Sequence, residues 1–375
     1  RRKKEGLAMK EIRTLILVIF CVGILYWFVE PYAHTKLHPH VSPVNYDFAA
    51  GDIALAAHNV EAAKLALQSA EKEGDGTMIK NAQKAIDEAK SQQDKVILFW
   101  NEVDKIDLGK GDAVRGAETF TGAGCTACHG VEVASIPAPM DAQAASQAFG
   151  ANPPDLSSAG YIYTDKFLAA FIKDPVMAVK LNHKFNDEAP YPMPPFVSAS
   201  GEADQDIADI VAYLKSIAPS EDKLIDAKVA AAGIKADENL TQAQREFFLN
   251  KAVFEDACVR CHDVKYDKLL TQGDKASVAN YMGSTPPDLS MSIRSKKAGY
   301  LHEFINDTQK ILPGTSMPRV GLNERAETQV VAYLQSVGDS KKDEREATTI
   351  NIMIYFLILS VFAGLWKSKI WSKLH

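Results

Sequence analysis

Four of the five cysteines stand in two identical spacings, Cys125-Thr126-Ala127-Cys128-His129 and Cys258-Val259-Arg260-Cys261-His262. Two thiols three positions apart can form thioethers to the vinyl groups of a porphyrin, and a His directly after them is placed beneath its iron. This is the attachment pattern of c-type haem. A zinc site would pool both cysteine pairs into one four-ligand cluster, whereas here a domain length separates them and each has its own His. A redox dithiol would need a βαβ setting, and the flanks read as helix. The expectation is two covalently bound haem c groups, on Cys125 with Cys128 and on Cys258 with Cys261, with His129 and His262 as iron ligands. Cys21 lies in an apolar run and reads as a small hydrophobe of a membrane helix.

For electron transfer a second axial ligand is useful, and a Met thioether favours reduced iron. Met193 and Met317 are the candidates: each precedes a proline, and they lie 64 and 55 residues after their respective His. Met140, Met177, Met282 and Met291 read as packing residues. His183 and His302 would be the alternative ligands of a bis-His haem.

A short phrase recurs with the haem motifs. Asn152-Pro-Pro-Asp-Leu-Ser157 and Thr285-Pro-Pro-Asp-Leu-Ser290 place Asp155 and Asp288 each 26 residues after the axial His. Paired prolines make an extended wall without N–H donors. Their carbonyls are then free to accept the His Nδ1–H, which orients the ring and sets its basicity. Pro154 and Pro287 are the expected acceptors, Leu156 and Leu289 would pack on the porphyrin, and Asp155 and Asp288 would cap a following turn.

The elements around these residues repeat as well. An aromatic-apolar helix follows each wall, at 166–172 and 300–305. A closing helix follows each Met-Pro pair, Ile210-Val-Ala-Tyr-Leu214 and Val330-Val-Ala-Tyr-Leu334. The distance from wall to Met differs, 38 residues against 29, and an insertion at about 175–192 is expected as a surface loop. Ahead of the repeats, residues 52–104 carry helical periodicity broken at Glu73-Gly74-Asp75-Gly76, which predicts a helical hairpin. The fold class is therefore mainly α, with two class I cytochrome c domains in tandem. The expected boundaries are an anchor at 1–33, a helical segment at 34–104, haem domains at 105–220 and 221–346, and a second anchor at 347–375.

The anchors are read from hydropathy. Residues 14–29 and 350–366 are apolar throughout, about the length that spans a bilayer core. Basic residues lie outside both runs, at Arg1, Arg2, Lys3, Lys4, Lys10 and Arg13 and at Lys367, Lys369 and Lys373. This places both termini in the cytoplasm and the haem domains in the periplasm. No small-residue cleavage site follows the first run, so it is read as uncleaved; residues 1–8 precede Met9, which resembles a natural start. His34, His38 and His40 read as an interfacial loop. A net charge of −6, with 46% hydrophobic and 24% charged residues, describes a globular chain without a basic nucleic-acid surface. Residues 104–220 hold about 15 acidic against about 8 basic side chains while 221–346 is nearly balanced, so the first domain is the expected dock for a basic carrier.

Taken together, two C-x-x-C-H domains, a P-P-D-L-S after each, the Met-Pro pairs and the C-terminal anchor resemble cytochrome c1 of the quinol:cytochrome c oxidoreductase (bc1) complex. The stretch Trp27-Phe28-Val29-Glu30-Pro31-Tyr32-Ala33-His34 is similar to the dihaem version in epsilonproteobacteria. The resemblance implies partnership with cytochrome b and a Rieske iron–sulfur protein in a dimeric complex of the inner membrane. It implies relay of single electrons to a soluble periplasmic cytochrome c or an oxidase. No nucleophile, acid–base pair or quinone site is legible, so the chain's part is conduction. The alternative is the dihaem subunit of a cbb3-type oxidase, in which a C-terminal anchor is unexpected.

Overall fold

A computed structural model describes residues 2–29, 32–33, 46–186, 188–235, 240–296 and 298–374. His34, His38 and His40 lie outside the described residues. The chain divides into two units, Arg1–Val44 and Asn45–His375.

In the first unit α1, Arg2–Ile24, runs on as a π-helical turn, Leu25–Val29. Its stretch Glu11–Val29 holds an 18-residue window of mean hydropathy 2.3, none of it buried. Such a bare apolar helix is long enough to cross a membrane.

The second unit begins with the predicted hairpin. Helix α2, Phe48–Glu73, is capped by Asp47, whose carboxylate accepts the Ala50 N–H. It ends at Gly74 in the left-handed region, φ 76°, where a side chain would strain the backbone. Asp75 then caps α3, Gly76–Val103, through the N–H groups of Thr77 and Met78. The prediction from the Gly-Asp-Gly break holds to within a few residues.

Helices α4 (Ala113–Gly122), α5 (Ala142–Phe149), α6 (Asp165–Lys173) and α7 (Ala203–Ser216) carry the first haem motif. Helix α4 crosses α7 so closely that a Cβ on Gly116 would lie 1.9 Å from the Asp209 carbonyl oxygen. Arg115 locks the crossing by donating Nε and Nη2 to Asp209, both at 2.8 Å. Helices α8 (Glu221–Ala231), α9 (Gln242–Cys258), α10 (Lys275–Met282), α11 (Ala298–Asn306) and α12 (Glu324–Gly338) carry the second. Among the described residues there is no β-strand. Helix α13, Lys342–Leu374, is continuous through the second apolar run, where an 18-residue window has a mean hydropathy of 2.0.

The insertion at 175–192 departs from expectation. Instead of a surface loop it is largely core: Ala178, Val179, Leu181 and Phe185 are buried with Phe48, Phe99 and Trp100 of the hairpin. Burial of its apolar side chains decides where the segment goes. The same contact surrounds a buried charge cluster. Asp52 of α2 receives Trp100 Nε1 at 3.1 Å, Arg319 Nη1 at 2.8 Å and Lys180 Nζ at 3.0 Å. Lys180 also pairs with Asp307 at 2.8 Å. Hairpin, first domain and second domain are thereby joined through one carboxylate.

Candidate haem sites

Each Cys-x-x-Cys-His stretch starts at the C-terminal end of a helix, α4 or α9, and turns back on itself. His129 N–H and His262 N–H both donate 3.0 Å to the carbonyl of the first cysteine of their own motif. A second turn then closes through an isolated antiparallel bridge, Val131 to Ile136 in one domain and Val264 to Leu269 in the other.

Behind the imidazoles lies the proline wall. His129 Nδ1 is 2.9 Å from the Pro154 carbonyl oxygen and His262 Nδ1 is 2.8 Å from that of Pro287. A carbonyl can only accept, so Nδ1 carries the proton in both rings and Nε2 keeps its lone pair. Burial lowers the pKa of each ring, opposed by that carbonyl bond. Both are neutral imidazoles presenting one basic nitrogen, the form an iron ligand requires.

The rest of the wall is wired alike in the two domains. Leu156 N–H donates to Gly130 O and Leu289 N–H to Asp263 O, each at 2.9 Å. Asp155 accepts from Ser157 N at 2.8 Å and from Glu132 N at 3.0 Å; Asp288 accepts from Ser290 N at 3.0 Å and from Lys265 N at 3.4 Å. Ser157 and Ser290 take the next amides, Val133 N and Tyr266 N. The Asp and Ser of the phrase therefore hold the turn after the haem motif as well as their own. Leu156 and Leu289 pack half-buried against the two domain cores.

Burial raises the thiol pKa of Cys125 and Cys261, and pushes that of Cys258 up to about 12. A redox dithiol depends on a lowered thiol pKa, so that reading finds no support. Among the described residues no three His, Cys, Asp or Glu side chains gather as a metal cluster, and the two pairs do not form one zinc site.

Residues 113–218 and 250–338, just over half the chain together, match the cytochrome c family, each stretch with one Cys-x-x-Cys-His. The chain belongs to the cytochrome c family. Membership implies covalently bound haem c. A solved chain titled "Hyperthermophilic respiratory Complex III" is similar at 19% identity over 40% of this chain and 86% of that one, with a TM-score of 0.28. No curated protein matches.

Both cytochrome c domains place their Met-Pro pair in irregular chain. Met193 is half-buried three residues before Phe196, whose N–H is tied to the Ile172 carbonyl of α6. Met317, also half-buried, donates its N–H to Thr315 Oγ1. Of the other methionines, Met140 and Met291 are exposed, Met282 is buried, and Met177 packs against the hairpin core. His302 Nδ1 is 3.0 Å from Glu327, a fully buried carboxylate that also takes Tyr46 Oη and Asn306 Nδ2.

The cytochrome c motifs alone did not reveal two further donors. Arg260 Nε and Tyr281 Oη are buried without a hydrogen-bond partner, where an orphaned donor costs roughly 1–3 kcal/mol. An acceptor-bearing group such as a haem carboxylate would fit there. An Arg inside C-x-x-C was the available signal.

Proposed function

We propose that the chain is a dihaem cytochrome c1-type subunit of a quinol:cytochrome c oxidoreductase. In this reading it takes single electrons from a Rieske iron–sulfur protein and passes them to a soluble periplasmic cytochrome c or an oxidase. One haem c is held by Cys125, Cys128 and His129 with Met193 as sixth ligand, the other by Cys258, Cys261 and His262 with Met317. The haems supply one-electron chemistry at iron. The chain fixes each imidazole through Pro154 or Pro287, shields the macrocycle with Leu156 or Leu289, and holds the two sites in one body.

The observation that carries the reading is the pairing of two identically wired His–Pro walls with an apolar helix at each end of the chain. A relay working beside a quinol oxidase needs both: fixed redox centres, and attachment to the membrane where quinol resides. The flanking basic residues support haem domains facing the periplasm. Cytochrome b and the Rieske protein are the expected partners, in a dimeric complex.

Isolation from membranes in mild detergent tests it. Cytochrome b and a Rieske subunit should co-purify, and quinol should reduce the haems of this chain. Co-purification with a haem–copper oxidase core in their place would overturn the reading in favour of the oxidase subunit.

A further inference from the structure

We propose that Arg260, though carried by the second haem motif, binds a propionate of the first domain's haem and ties the two cofactors together where the domains meet. The inference rests on each motif holding a haem.

In the turn Cys258-Val259-Arg260-Cys261-His262 the cysteines and His are committed to their own porphyrin, and Val259 is buried. The backbone of Arg260 is pinned by Thr271, whose hydroxyl donates to its carbonyl at 3.0 Å. Its side chain crosses to the first domain, where Nη1 donates to the Asn152 carbonyl at 3.4 Å. Asn152 is two residues before Pro154, the acceptor for His129. The guanidinium is close enough for its charge to act on His129, Tyr163 and Tyr191, all of the first domain.

Among the described residues Arg260 has no salt bridge, and its Nε is buried without an acceptor. Tyr281, also of the second domain, brings the other orphan to the same seam. Its ring lies 5.3 Å from that of Phe185 and covers Gly150, where a Cβ would meet the ring at 2.2 Å. Phe185 in turn packs on Tyr191 at 5.1 Å. A guanidinium Nε and a hydroxyl that both lack acceptors call for an anion with more than one oxygen, and a carboxylate matches the guanidinium fork. A porphyrin bears its propionates on the edge opposite its vinyl groups. Arg260 stands between the two cysteines that would take the vinyl groups of its own haem while its side chain reaches Asn152 of the first domain, so the carboxylate it would meet is the other haem's.

A cation there favours reduced iron and keeps the propionate ionised. The test is R260Q in the full-length protein, with R260K and Y281F beside it. A C125A background leaves the first haem on one thioether and shifts its α-band, which tags that haem in a spectropotentiometric titration. In R260Q the tagged midpoint should fall by about tenfold in the reduction equilibrium, about 59 mV for one electron, and become pH-dependent near neutrality. R260K should fall by less than half as much, and Y281F should lower the midpoint slightly. An unchanged tagged midpoint, or a shift confined to the second haem, overturns the proposal. If R260Q loses a haem, Y281F and R260K decide on the same criterion. A haem assay giving other than two haems per wild-type chain would instead sink the reading on which it rests.

Discussion

The two haem walls are alike where they touch the imidazole and unlike one step outward. The His rings of both motifs donate to a proline carbonyl at nearly the same distance, 2.9 and 2.8 Å. The residue after each His is Gly130 in one domain and Asp263 in the other. At Gly130 a Cβ would lie 2.9 Å from both Ala138 N and Asp155 Oδ2, so that pocket closes tightly around its Asp. In the second, Asp263 occupies the space, pairs with Lys275 and accepts Thr271 N–H at 2.8 Å. The clamp from the wall Asp to the following turn is correspondingly longer, 3.4 Å against 3.0 Å. A duplicated site has kept the bonds that define the ligand atom and let the packing behind them diverge.

Removing one pocket at a time gives the largest effect. C125A/C128A and C258A/C261A should each reduce covalent haem from two per chain to one in a pyridine haemochrome assay. Retention of both by either variant would show that those cysteines do not carry a haem, and loss of both would show that the sites are not independent.

Next comes the buried cluster that binds both domains to the hairpin. Burial works against Asp52 ionising, but Arg319 and Lys180 outweigh it and hold its pKa below the usual value. Stability from such a depressed carboxylate is complete above the unfolded pKa of about 3.9 and drains away as pH falls through the lower folded value. D52N leaves two cations facing a neutral amide and should cost about 3–5 kcal/mol in urea unfolding near neutral pH. The loss should shrink under acid; a penalty that held constant across that range would contradict the charge account.

A smaller difference should separate the two residues after the His. G130A forces a Cβ against backbone and carboxylate and should cost about 1–3 kcal/mol. D263A loses a capped amide and a half-exposed ion pair and should cost about 1 kcal/mol. Equal losses in parallel denaturation curves would mean that the tighter packing of the first pocket has no energetic consequence. The smallest effect expected concerns docking. Reversing acidic side chains on the first domain should flatten the salt dependence of carrier reduction, whereas the same changes on the second should leave it intact.

What could be read in advance was local. The spacing of His129 to Pro154 and of His262 to Pro287 is short and repeated, so it pointed directly to a hydrogen bond that the structure contains. The hairpin was legible for the same reason, since Gly74 and Asp75 are signals within the segment they break. The contacts between modules were not. Asp52 and Arg319 lie 267 residues apart and look in sequence like ordinary surface charges. The segment from Pro175 to Phe185 reads as a surface loop because its partners, Phe48 and Trp100, belong to a different module. Arg260 occupies a position that any residue can fill, and only its burial beside Asn152 sets it apart.

The last helix bears on how electrons can reach the second domain. Helix α13 follows α12 after only Asp339-Ser340-Lys341, and Arg345 grips Asp339 with two nitrogens across that joint. Eight residues separate the start of α13 from the apolar run at 350, about 12 Å at the helical rise. With the run in a bilayer, the second domain stands on a short stiff post and not on a tether. Its height above the lipid is then nearly constant, so this domain has no tether on which to swing towards another redox centre.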